Sequence, residues 1–169
     1  VYDCVRQIEE VNSDFEDILL KMVCHKIEEY IEIINPNQNI FIAFDGVAPV
    51  AKLEQQRNRR YKSNFLSKIN EHFEKKQTWK LASITPGTDF MKKLSKYIKN
   101  HFEKNKKFNV KNIIISASDE PGEGEHKLYE YIRNNPKEHN NQITVVYGID
   151  ADLIMLCLNH LNLCKNIYL

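Results

Sequence analysis

Asp45, Glu123, Glu125, Asp150 and Asp152 each fall just beyond a short apolar run. Lys52, Gln56, Arg59 and Arg60 follow the first of them. Carboxylates gathered in one place repel each other and raise one another's pKa, and a divalent cation is the usual way such a set stays ionised. A set made only of hard oxygen donors suits magnesium or manganese rather than zinc. The Lys52, Gln56, Arg59 and Arg60 spacing is i, i+4, i+7 and i+8, one face of an α-helix, and Glu54 lies off that face. Arginine forks suit bidentate contact with phosphate, and a glutamine between them adds a neutral donor. A terminal phosphate, more charged than an internal diester, rewards so concentrated a surface. A metal-ligand set beside an anion-binding face is what phosphodiester chemistry needs.

Each part alone has a plainer reading. Asp45-Gly46 is a common turn. Glu123 and Glu125 are favourable acids for the first turn of a helix. Asp150-Ala151-Asp152 reads equally as a solvated loop with a helix cap, and Lys/Arg on a helix is usually a solvated surface. Acids at the ends of three consecutive strand patterns argue for the metal site. Two geometric conditions attach to it. Asp150 and Asp152 project from one face if strand geometry persists. Glu123 and Glu125 converge only if Pro121-Gly122-Glu123-Gly124 is a turn, which its glycines permit.

The elements that must position these residues alternate. Phe15, Leu19, Met22, Val23, Ile27, Tyr30, Ile31 and Ile34 predict an amphipathic helix with Ser13 or Asp14 as cap. Ile40–Phe44 is the first strand, Asp45–Pro49 a turn. A helix follows from about Val50 past Tyr61, continuing with a break towards His72. Residues 75–83 are a polar loop with the only Trp, Trp79, better placed in packing than in base stacking. Thr85 is the expected cap, with Pro86 in the first turn, of a helix through Phe90, Leu94, Ile98 and Phe102. A charged loop over 104–109 leads to the second strand, Val110–Ser116. A helix through Leu128, Tyr131 and Ile132, then a third strand, Ile143–Ile149, come next. Leu153–Leu161 is a helix, and Ile167–Leu169 begins a fourth strand. This alternation predicts an α/β fold, a mainly parallel sheet flanked by helices. Ligands of open α/β sheets bind beyond the carboxyl ends of the strands, where the acids fall.

Composition sets the bounds. The 169 residues carry 24 Lys+Arg against 23 Asp+Glu, a formal charge of +1, so polyanion binding must come from local clustering. No apolar run approaches membrane-spanning length and no signal peptide is visible. Cys4, Cys24, Cys157 and Cys164 form no Cys-x-x-Cys pair, which favours reduced, intracellular thiols. No Walker-type phosphate loop occurs. His126, beside Glu125, is open to a supporting role at the acids or to an ordinary place on a helix surface. The chain starts at Val and is read as a fragment or processed product.

Four ordered blocks carry a family resemblance. They are Phe44-Asp45-Gly46-Val47-Ala48-Pro49 with Ala51-Lys52 and Gln55-Gln56-Arg57-Asn58-Arg59-Arg60; Ile84-Thr85-Pro86-Gly87-Thr88; Pro121-Gly122-Glu123-Gly124-Glu125-His126-Lys127; and Tyr147-Gly148-Ile149-Asp150-Ala151-Asp152-Leu153 onward. From about Ile40 to Leu158 the chain closely resembles the 5′→3′ exoribonuclease family, the XRN enzymes. The resemblance implies a PIN/FEN-like nuclease architecture. It also implies processive hydrolysis of single-stranded RNA from a 5′-monophosphate end to mononucleotides, with Mg2+ or Mn2+. It assigns Asp45, Glu123, Glu125, Asp150 and Asp152 to the metals, and Lys52, Gln56, Arg59 and Arg60 to the 5′-phosphate. Asp119 stands just outside the family's acidic pattern.

Departures bound that reading. The family has an earlier strand with another metal-binding Asp, a later acidic segment and a base-stacking aromatic, all outside these residues. Val50 stands where an Arg is usual, and Ala82 where a small polar residue is. The chain is therefore read as the central part of an N-terminal catalytic domain, an incomplete unit that needs its remainder, of cytoplasmic or nuclear type. Alternatives are a structure-specific 5′ (flap) nuclease and a catalytically silent RNA-binding fragment. An acid-lined phosphatase leaves the arginine face unexplained.

Overall fold

A computed structural model describes residues 1–8, 13–74, 79–103, 107–148 and 150–169, with the backbone alone at 67 and 70–74. The expected loops over 75–78 and 104–106, the strand end at Ile149 and the Phe73 side chain lie outside the described residues. The helix expected from the apolar repeat is α2 (Phe15–Ile34), preceded by a short α1 (Tyr2–Gln7) that docks Cys4 against it. It buries Phe15, Leu19, Leu20, Val23, Cys24 and Ile31. It stops at Asn35, whose φ of 48° is left-handed and whose N–H donates to the Ile31 carbonyl at 2.8 Å. Asn tolerates that conformation better than other chiral residues, so the turn from α2 into the first strand is locally encoded.

Strands β1 (Asn39–Ala43) and β2 (Asn112–Ser116) pair in parallel, from Asn39 opposite Asn112 to Ala43 opposite Ser116. Between them come α3 (Val50–Glu74), a 3-10 turn at Leu81–Ser83 and α4 (Asp89–Glu103). α3 is one unbroken helix, without the expected break. Its apolar Leu53, Phe65 and Leu66 stay exposed, so it stands away from the core rather than packing along it. α4 begins later than expected. Pro86-Gly87 forms a turn with Gly87 at φ 90°, and Thr88, not Thr85, caps the helix by accepting from the Met91 N–H at 3.3 Å. α2, α4 and β1 enclose the first core around Leu19, Leu94, Ile98 and Phe102. Trp79 packs there between Phe15 and Phe90, with ring centroids 5.4 and 4.9 Å away.

The remaining elements are α5 (Gly124–Asn134), α6 (Pro136–His139), β3 (Ile143–Val145), α7 (Asp152–Asn159) and β4 (Asn166–Tyr168). β3 and β4 pair in parallel, and Tyr129, Ile132, Val146, Leu153, Cys157 and Cys164 form a second core beneath them. The fold is α/β, and every strand pairing among the described residues is parallel. It is divided into two two-stranded sheets instead of one. A groove of about 400 Å³ separates the pairs, lined by β1 on one side and by Val145, Val146 and Tyr147 on the other. β3 is short and its Ile143 and Val145 are exposed, so the sheet is not covered by helices on both faces there. All four cysteines are free and buried. Among the described residues no helix is long and apolar enough to cross a membrane.

A charged link closes the α2–α4 interface. The His101 ring N–H donates to Glu28 at 2.7 Å, and Lys107 stands 3.6 Å from the same carboxylate. Burial alone would raise the Glu28 pKa, but His101 and Lys107 together outweigh it and hold it below the usual glutamate range. A depressed carboxylate pKa contributes stability above its unfolded value and loses it as pH falls through the folded one. Glu28→Gln should therefore lower stability at pH 7 by about 1.5–3 kcal/mol. The gap between mutant and wild type in urea unfolding should shrink as pH falls below about 4.5.

Candidate metal and phosphate site

The site is assembled where β1 and β2 stop pairing. The last bond between the two strand ends runs from the Phe44 N–H to the Ser116 carbonyl at 2.9 Å. Asp45 follows directly, and the segment leaving β2 returns through Pro121-Gly122-Glu123 to the start of α5. The two segments are locked together. Gly46 N–H donates to Gly122 O at 2.8 Å, Gly122 N–H to Val47 O at 3.0 Å, and Gly124 N–H to the Asp45 carboxylate at 2.7 Å. The approach at Gly46 demands glycine, because a Cβ there would lie 1.7 Å from the Glu120 carbonyl oxygen. Gly122, at φ 99°, supplies the left-handed residue that turns the chain into α5.

This explains how two glutamates two residues apart converge. Glu123 is the helix cap, with extended backbone (φ −78°, ψ 146°), whereas Glu125 sits in the first helical turn. Together with His126 they place one ligand atom each within 4.8 Å of one another, a group able to hold a cation. The His126 ring nitrogen stands 3.5 Å from Glu123 and 3.9 Å from Glu125. Glu123 is buried and Glu125 half-buried. Burial raises the pKa of Glu125; Glu123 and Asp150 add repulsion, while Lys52 and His126 oppose it. A carboxylate in that condition gains from a bound cation; the two glutamate oxygens suit a hard divalent ion, and the His126 nitrogen stands beside them.

Asp45, Asp150 and Asp152 stand outside that ligand group, and the last two are held by a different route from that expected. β3 ends at Val145, so they do not lie on a strand. Asp152 opens α7, and its N–H donates to the Asp150 carboxylate at 3.2 Å. Both are exposed, and each is near enough to the centre for its charge to act there, Asp150 on Glu125 and Asp152 on Lys52. Asp119 points elsewhere, held by Lys99 at 2.8 Å.

The basic face meets the acids at one end. Lys52 donates to Glu123 at 2.8 Å, and that hydrogen bond raises the ammonium's pKa. Gln56 lies one turn further, with its side-chain oxygen accepting from Arg60 at 3.3 Å. Arg59 and Arg60 are exposed, seven and eight residues beyond Lys52, about 10–12 Å along the axis. One contributor escaped the sequence reading. Lys127 is buried, and its ammonium donates to the carbonyls of Phe44 and Ala117, each at 2.9 Å. Burial lowers its pKa against the opposing charges of Glu120, Asp45 and Asp119. In the sequence it stands as the last residue of the Pro121–Lys127 block, four positions after Glu123, where a lysine is ordinarily solvated.

Comparison with known proteins supplies the lineage. The family model described as the XRN 5′-3′ exonuclease N-terminus matches residues 1–167. The chain belongs to the XRN family. It is 36% identical over 182 residues to 5′-3′ exoribonuclease 2 of Schizosaccharomyces pombe, covering 92% of this chain and 18% of that protein. It is 38% identical over 159 residues to 5′-3′ exoribonuclease 1 of Saccharomyces cerevisiae, covering 85% of this chain and 10% of the relative. It is also 38% identical over 156 residues to the human 5′-3′ exoribonuclease 1, covering 83% of this chain and 9% of the relative. The XRN chain thus spans less than a fifth of the length of these relatives.

The glycine contact yields a test. Gly46→Ala forces the Asp45 and Glu120 backbones apart, which should cost about 1–3 kcal/mol in chemical denaturation. Mn2+ titration by calorimetry should show weaker uptake than wild type at a temperature where both are folded.

Proposed function

We propose that this chain forms the central part of an N-terminal XRN catalytic domain. In this reading the domain hydrolyses single-stranded RNA from a 5′-monophosphate end and releases mononucleotides. The observation that carries the reading is the 2.8 Å contact between Lys52 and Glu123, which joins the cationic face of α3 directly to the acidic centre. A phosphate held on that face has its first linkage next to the carboxylates. The two parallel strand pairs are read as parts of a PIN/FEN-like sheet, completed, with further ligands, by the rest of the catalytic domain.

In this reading Asp45, Glu123, Glu125, Asp150 and Asp152 hold Mg2+ or Mn2+. When bound, a pair of such cations activates water and neutralises the leaving 3′-oxygen. The chain's own residues do the rest. Asp45 is oriented by the Gly124 N–H, and Glu123 by Lys52. Arg59 and Arg60, on an exposed face, grip the terminal phosphate, and Gln56, which accepts from Arg60, donates its amide beside them. Lys52 balances Glu123, and would be available to the phosphate were that carboxylate to hold a cation. Because the contacts go to phosphate, base identity matters little.

The test uses the catalytic domain that carries this chain. RNA with a 5′-monophosphate should be degraded at least about tenfold faster than 5′-hydroxyl RNA, the gain expected from one or two charge-assisted hydrogen bonds. Arg59→Ala should erase most of that preference, and Asp150→Asn should lower the rate about 100-fold or more on both substrates. Equal rates on the two ends remove the phosphate assignment. Full activity of Asp150→Asn removes the metal assignment, and faster cleavage of flap than of linear substrates favours the structure-specific nuclease.

A further inference from the structure

Three segments deliver three carboxylates: an exposed Asp45 just after β1, Glu123 at the exit of β2 and Glu125 on α5. After the Phe44–Ser116 bond no strand ladder holds the first two together. Backbone bonds between Gly46, Val47 and Gly122 join them further on, and nearer the strand ends one side chain reaches the main chain of both. Lys127, on the inward face of α5 and 8% exposed, donates to Phe44 O and Ala117 O, each at 2.9 Å. Phe44 is the residue before Asp45, and Ala117 the first after β2. Ala117 is itself fully buried, and the next residue, Ser118, is anchored to Ser95 of α4 at 2.9 Å. α5 packs on β1, so the ammonium comes from the same helix whose first turn presents Glu125.

A buried ammonium is a costly way to satisfy two carbonyls, since an apolar side chain of equal length avoids its desolvation. What it adds is geometry, because it fixes two strand ends and one helix at a common point. We propose that Lys127 is a positioning residue that sets the separation between Asp45 and the Glu123/Glu125 pair by clamping the carbonyls of Phe44 and Ala117. The proposal rests on the metal-site reading of those carboxylates.

Two physical effects of removing the ammonium act in opposite directions on a cation site. Loss of a nearby positive charge strengthens cation binding. Loss of the clamp lets Asp45 drift from the Gly124 N–H and weakens it. Lys127→Met, which keeps the stem and deletes the charge, therefore decides by sign. The expected result is Mn2+ affinity about tenfold or more weaker by calorimetry, in the range for residues that orient metal ligands. Amide exchange at Gly124, followed by NMR without metal, should quicken about tenfold or more, while the buried amides of Leu94 and Ile98 in α4 keep their protection. Lys127→Gln, which keeps a neutral donor, carries the same comparison if the methionine variant does not fold.

Unchanged or tighter Mn2+ binding, or a uniform rise in exchange across the chain, overturns the proposal, as does loss of the folded state in both variants. Failure of the wild type itself to bind Mn2+ overturns the metal reading on which the proposal rests, whereas Gly124 exchange still reports the clamp separately.

Discussion

Everything at the acidic centre depends on how two parallel strands come apart. From Asn39–Asn112 to Ala43–Ser116 the ladder dictates spacing, and beyond it the chain must hold two diverging loops by other means. It does so with main-chain bonds between Gly46, Val47 and Gly122, with the Gly124 N–H on Asp45, and with the Lys127 ammonium on two carbonyls. Gly46 allows no Cβ against the Glu120 carbonyl, and Gly122 needs its positive φ. That is why the stretch is rich in glycine although it lies beside helices and strands.

The electrostatics follow from that crowding. Glu123 and Glu125 are brought within ligand distance of each other in a half-dry setting, which raises the Glu125 pKa. Lys52 and His126 supply the nearest positive or proton-donating groups, and both come from residues that face solvent on their other side. A bound cation and a bound phosphate would divide those roles differently: the cation would take the carboxylates, leaving Lys52 for the anion. Lys52 thus joins the basic face of α3 to the acidic centre at one end.

Much of the fold is legible locally. α2, α4 and the strands β1 and β2 follow from apolar periodicity, and each lies within a few residues of its expected position. Misplacements occur where a short-range device overrides the pattern. Gly87 delays α4 to Thr88, and the Gly122 turn starts α5 at Gly124 and leaves Glu123 outside the helix. Asp150 accepts from its neighbour's amide instead of extending β3. α3 forms in one piece on helix propensity although its Leu53, Phe65 and Leu66 stay exposed.

The sequence by itself determined the alternation of helices and strands, the oxygen-only chemistry of the acids and the shared face of Lys52, Gln56, Arg59 and Arg60. Those properties are set by residue type and by spacings of a few positions. Tertiary structure alone decided that β3 pairs with β4 across a groove from β1, and that Lys52 reaches Glu123, 71 positions away. It also decided that Lys127 faces inward to Phe44 and Ala117. A lysine on a helix has no local reason to be buried. Only the convergence of two strand ends, each with a carbonyl that the ladder leaves unpaired, gives its ammonium a place in the interior.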